Sequence, residues 1–225
     1  VNFKSAIFQT ADFFEKVLRF CSNCGHFSMP NRALCKICYA SLTKYKNNNW
    51  VNGYQHSTIS IWEWGEQNED FVRRYLHSIK GGGPKYLFNQ FAEDLFRIRN
   101  NMTNHTLLDK PYFIPAPGAN EFSEDHAERL ASSCASIFGE NSFSVLARSK
   151  QTHQKRKSRQ DRLSELDDGL TLIRDLDFHR RDIGRPLVFI DDIITSGGTA
   201  NSAYRILGSP KNFEVWTIFH RPRLL

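Results

Sequence analysis

The chain has 225 residues, 40% of them hydrophobic and 13% aromatic, with eighteen Phe and a formal net charge of +6. That length holds one α/β domain with a real core plus a small appendage, and no apolar run approaches the ~20 residues of a membrane span. The positive balance favours anionic partners such as nucleic acid, phosphorylated metabolites or an acidic membrane surface, without choosing among them.

Val1-Asn2-Phe3-Lys4 shows no basic region followed by an apolar core, so no secretory signal is expected. Five cysteines, four of them in paired CxxC units, fit a reducing cytoplasm with metal binding better than a disulfide framework. Phe8, Phe13, Phe14, Val17, Leu18 and Phe20 predict a short amphipathic helix over residues 1–20. Cys21-x-x-Cys24-Gly25 and Cys35-x-x-Cys38 follow. Each two-residue spacer lets a tight turn aim both sulfurs inward, so four thiolates can meet one tetrahedral ion, with zinc the fitting choice. Gly25 permits the positive φ such a turn needs. Redox-active CxxC pairs are the rival reading, and His26 is either a spare ligand or a surface residue. We place the first domain, helix and zinc ribbon, at 1–50 and the second at 51–225.

Thr43 to His56 turns polar and reads as a linker or loop. Ile59 to Trp64 alternates with period two, as a strand does. Trp50, Trp62 and Trp64 suit either a base-stacking platform or the seal of a domain junction. Phe71, Val72, Tyr75, Leu76 and Ile79 share one helical face. That helix is stopped by Gly81-Gly82-Gly83-Pro84, with Lys80 at its end where the dipole favours a cation. A second helix is predicted over Tyr86 to Met102, then a buried strand and constrained loop over Tyr112 to Gly118. Residues 123–138 predict an amphipathic helix capped by Ser123, with Ala127, Leu130, Ala131, Cys134, Ile137 and Phe138 inward. Cys134 is thus a core thiol. Phe143 to Ala147 is the next strand.

Arg148, Lys150, Lys155, Arg156, Lys157, Arg159 and Arg162 form the most basic stretch, with Asp161 the only acid among them. It is either a solvated loop or an anion-binding segment leaving a strand end. Gly169 to Ile173 predicts an edge strand or hairpin, and a polar loop leads to the apolar run Pro186 to Ile194, which carries Asp191 and Asp192. Thr195-Ser196-Gly197-Gly198-Thr199 follows, then Ala200, Ala203, Tyr204, Ile206 and Leu207 at helical spacing. This is strand, loop and helix, with the loop at the carboxyl end of a buried strand, where open α/β sheets place their ligands. Glycines let backbone approach a phosphate, Thr and Ser add hydroxyls, and the helix start adds a favourable dipole. No Gly-Lys-Ser/Thr triplet makes it a Walker loop, and GxGxxG is absent. Paired carboxylates suit sugar hydroxyls and hydrated magnesium, while the loop suits a monophosphate. Together they describe a site for a ribose 5-phosphate. The alternative is an acidic turn between a core strand and a helix. Phe213 to Phe219 supplies a last strand.

The Asp191–Thr199 motif resembles the phosphoribosyl-pyrophosphate (PRPP) loop of type I phosphoribosyltransferases, with Ser196 keeping the hydroxyl of the usual second Thr. The whole chain resembles the ComF family, competence-associated proteins that join a zinc ribbon to a phosphoribosyltransferase-like domain. The anchors are the two CxxC pairs, the helix ending Ile79-Lys80-Gly81, the Arg148-x-Lys150 to Gln154 stretch and the Asp-Asp loop. One segment departs: family members carry an arginine-rich loop where this chain has Ala119-Asn120-Glu121-Phe122-Ser123-Glu124-Asp125-His126. The resemblance implies a mostly parallel sheet flanked by helices, with a structural Zn²⁺ on Cys21, Cys24, Cys35 and Cys38. It also implies Mg²⁺-PRPP bound by Thr195, Ser196, Gly197, Gly198 and Thr199 at the 5-phosphate and by Asp191 and Asp192 at the ribose. Arg148 and Lys150 would neutralise departing pyrophosphate during transfer to a nitrogen nucleophile. The implied setting is cytoplasmic uptake of transforming DNA. The same features suit a non-catalytic module that binds single-stranded DNA or a DNA-uptake helicase.

Overall fold

The computed structural model describes residues 20–21, 23–26, 34–46, 51–80, 85–102, 110–118, 125–148, 169–173 and 185–222. The helix expected over residues 1–20 (save Phe20), Trp50, the glycine run 81–84, Ser123, Lys150 and the rest of the basic stretch lie outside them. The described elements are α1 (Lys36–Thr43), β1 (Ser57–Glu63), α2 (Glu69–Lys80), α3 (Lys85–Met102), β2 (Tyr112–Pro115) and α4 (His126–Ile137). They continue with β3 (Leu146–Arg148), β4 (Leu170–Leu172), β5 (Leu187–Ile194), α5 (Gly198–Ile206) and β6 (Phe213–His220). The protein is α/β, with a four-stranded sheet in the order β1-β6-β5-β2 whose pairings are all parallel. β3 and β4 form a separate antiparallel pair.

Side chains on a strand alternate between faces, and the apolar runs of β5 and β6 supply a core on each. Val188, Ile190, Trp216 and Ile218 pack with residues of α2, α3 and α4, whereas Leu187, Phe189, Phe213 and Val215 pack with α5 and the β3–β4 pair. The sheet is therefore covered on both sides, and polar groups at the carboxyl ends of its strands are the ones left facing a cleft. Arg99 of α3 and Glu214 of β6 pair at 3.0 Å. The same carboxylate accepts from Trp216 Nε1 at 2.9 Å, so the buried charges are hydrogen-bonded as well as paired.

Both outer strands receive further backbone contacts. Lys46 bridges Trp62 of β1 in antiparallel fashion, and Glu63 N–H donates to the Tyr45 carbonyl at 2.9 Å. On the other side, Phe143 N–H donates to the carbonyl of Phe113 in β2 at 2.9 Å.

Two local expectations change and one open choice closes. Of the two roles open to Trp62, sealing and base stacking, its burial fits sealing: it is 3% exposed, with its ring edge-on to Tyr75 and Phe91 and tilted against Phe219. Each such aromatic pair contributes about 0.5–1.5 kcal/mol beyond area burial. Trp64 is partly buried beneath the Arg221 guanidinium, 4.9 Å from its ring centre. The cap of α4 is Asp125, whose carboxylate accepts from His126 N–H at 2.6 Å, and the helix starts three residues later than the sequence suggested. Ile137, expected inward, is 40% exposed at the last position of α4, while Phe138 beyond it packs on Phe113 of β2.

Candidate functional site

Strand β5 runs past both aspartates to Ile194, so Asp191 and Asp192 stand on the strand itself and point to opposite faces. Around them lie two clefts that share Asp191. The smaller, about 40 Å³, is lined by residues 193–200 together with Phe189, Val215 and Thr217. Gly197 takes φ +76° at the start of α5, which only glycine adopts without strain. Gly198, Thr199 and Ala200 at the start of α5 line this cleft, and the first N–H groups of a helix have no helical acceptors of their own, which suits an anion. Ser196 Oγ accepts from Gly198 N–H at 3.3 Å, holding the turn.

Tyr54, which the sequence did not mark, braces the loop from outside. Its hydroxyl donates to the Thr195 carbonyl at 3.1 Å, and its ring lies where a Cβ on Gly197 would project, 3.2 Å away. The missing side chain of Gly197 therefore faces Tyr54. A valine there would press on the Tyr54 ring and strain the loop backbone before it obstructed a phosphate.

The larger cleft, about 370 Å³, lies between the ends of β5 and β2 and is lined by Lys80, 116–118, 125–127, Arg148, Asp191 and Asp192. Arg148 lines this cleft together with the two aspartates, its Nε donating to the Pro117 carbonyl at 3.1 Å. Two cations converge on Asp192 Oδ2: Lys80 Nζ from the end of α2 at 3.1 Å and His126 Nε2 from the start of α4 at 3.2 Å. The other nitrogen of His126 pairs with Asp125. Burial works against the charged form of His126, but its bonds to Asp125 and Asp192 outweigh that and raise it to about 9. Burial likewise opposes ionisation of Asp192, yet the hydrogen bond and charge of His126, with Lys80 beside them, hold it well below the usual carboxylate range. Asp191 moves the other way, pushed up by burial and by the charge of its neighbour. Adjacent carboxylates are thereby driven to opposite protonation behaviour, a common mark of a functional site. Asp191, Asp192 and His126 offer ligand atoms within 4.8 Å of one another, but Lys80 and His126 already neutralise Asp192, which makes this an ion-pair network and not a cation cage.

The chain matches no family model and no curated protein sequence.

At the other end, Cys21, Cys24, Cys35 and Cys38 bring their sulfurs within 4.8 Å of one another, the geometry of a four-thiolate metal centre. Cys24 and Cys35 Sγ are 3.6 Å apart, and all four are free thiols. Gly25 has φ +72°, as the turn after the first pair requires. The second pair opens α1, where Cys35 Sγ accepts from Cys38 N–H at 3.5 Å; that backbone donor lowers the Cys35 thiol to about 7. Burial pushes the Cys38 thiol up to about 12, although Asn23 Nδ2 donates to its sulfur at 3.3 Å. A bound divalent cation would reverse that penalty. His26 is exposed and outside the cluster; its carbonyl accepts from Cys21 N–H at 2.6 Å.

Proposed function

We propose that the chain is a ComF-like, phosphoribosyltransferase-type protein that binds a phosphorylated ribose at the Asp191–Thr199 loop and carries structural zinc at its four-cysteine centre. One observation carries the ligand assignment: the phosphate-suited cleft and the carboxylate cleft share Asp191. A ribose with its 5-phosphate at Thr195 to Thr199 would set its hydroxyls against Asp191 and Asp192. Magnesium would accompany a pyrophosphate-bearing ligand, held by its oxygens and water more than by protein. In a transfer reaction Arg148, and Lys150 beyond it, would neutralise the leaving group, with positioning and electrostatics doing the catalysis.

Calorimetry with ribose 5-phosphate and with PRPP, magnesium present, tests this. The protein is expected to bind at least one of them, and Asp192→Asn to weaken binding roughly ten- to a hundredfold, since a charge-assisted hydrogen bond contributes about 1.5–3 kcal/mol. Silence with both ligands at millimolar concentration would remove the site assignment.

A role in DNA uptake rests on the family resemblance and on the basic stretch that begins at Arg148. Affinity for single-stranded DNA is expected to fall steeply with salt, and replacing Lys155, Arg156 and Lys157 with Ala should flatten the log–log slope by about two units. An unchanged slope would give that stretch another role.

A further inference from the structure

Resting on the ribose-phosphate reading above, we infer that Asp125 is a specificity residue: its carboxylate occupies the anion position of the larger cleft. The site therefore selects a ribose 5-phosphate whose anomeric carbon carries no anion, and discriminates against the diphosphate of PRPP. Because the two clefts share Asp191, a ribose anchored by its phosphate at the loop turns its anomeric carbon toward the larger one.

The groups there that favour negative charge are the amino end of α4, His126, Lys80 and Arg148. Each already has at least one partner. The Asp125 carboxylate accepts from His126 N–H at 2.6 Å and pairs with the His126 ring. It also lies so close over Gly118 that a Cβ there would collide with it, so it covers the backbone of the loop that follows β2. His126 Nε2 and Lys80 are both drawn to Asp192, and Arg148 Nε is held by Pro117. Although burial opposes it, the bonds and charge of His126 keep Asp125 ionised, so the built-in anion is a full charge. A diphosphate entering this cleft would meet that charge or have to displace it, whereas a hydroxyl or a neutral base would not. The Asp125 carboxylate is thus read as an internal substitute for a ligand anion in this cleft.

Two ligand sources share this chemistry, the free sugar phosphate and a nucleoside 5′-monophosphate, and titration with ribose 5-phosphate and AMP tells them apart. The deciding comparison uses the full chain with magnesium, as wild type and as Asp125→Asn, which removes the charge but retains a good helix cap. Wild type is expected to bind ribose 5-phosphate or AMP more tightly than PRPP. Asp125→Asn is expected to shift the preference toward PRPP, relative to the singly phosphorylated ligands, by about tenfold or more, as relief of a like-charge contact should. Gly118→Ala, which must push the same carboxylate aside, should shift the ratio in the same direction. If wild type prefers PRPP, or if the ratio is unmoved in both variants while ribose 5-phosphate still binds, the inference fails alone. If no phosphorylated ribose binds any of the three proteins, it falls together with the ligand reading.

Discussion

Removing metal from the Cys21, Cys24, Cys35 and Cys38 centre is expected to unfold the segment around it while the sheet remains. Structural zinc sites have apparent binding energies of about 10–16 kcal/mol, far more than two tight turns and one short helix supply unaided. Cys24→Ser should have the same effect as a chelator: loss of zinc by metal analysis, and loss of amide protection in α1. The consequences should reach β1, because Leu42 of α1 and three of the cysteines belong to the same buried cluster as Ile59, Ile61 and Trp62. Protein purified under reducing conditions that holds no zinc, and a Cys24→Ser variant with native protection, would overturn the assignment.

The second large effect is expected from Asp192→Ala. It leaves two cations, one of them on the mostly buried His126, without the carboxylate between them. Breaking a buried pair from one side costs about 3–5 kcal/mol, and the lower end applies here because Lys80 is half exposed and returns to water. The loss should depend on pH with a definite sign. His126 holds its proton more tightly when folded, at about 9 against an ordinary 6.5. Its contribution is therefore complete below about 6.5 and disappears as pH rises through about 9. Asp192, held low, contributes above the ordinary carboxylate range and loses its contribution as pH falls toward its folded value. Urea denaturation of wild type and variant should accordingly show the widest gap near pH 6 and a much narrower one near pH 10. A gap that is constant with pH would mean that His126 is not charged in the folded protein.

The parts of this arrangement that were legible in the sequence are those encoded locally. Leu187 to Ile190 is an uninterrupted apolar run ending in two carboxylates and a glycine turn, and it forms a central strand with a helix behind it. The CxxC spacing alone brought four sulfurs together. What was not legible depends on which strand neighbours which. The parallel pairing of β2 with β5 carries the start of α4 to Asp192, although His126 lies 66 positions away in the chain. Lys80 read as an ordinary helix-end cation, and nothing in its surroundings in sequence announces an aspartate partner. Tyr54 sits in a polar turn that looked like a linker, and only the fold places it under Gly197. Trp62 left two roles open in the sequence because alternation identifies a strand without saying which aromatic rings will close over it; Tyr75, Phe91 and Phe219 do.

The strand segments docked at the sheet's two margins bear on the behaviour of the protein in a crowded cell. An open margin displays unpaired amides and carbonyls, a template on which another chain can extend the sheet. Here residues 45–46 cover the β1 side near Trp62 and Glu63, while 142–143 cover the β2 side at Phe113. The first of these covers follows directly from the thiolate centre and α1. Metal starvation would therefore expose an adhesive margin next to buried aromatic surface, and the apoprotein should self-associate before its sheet melts.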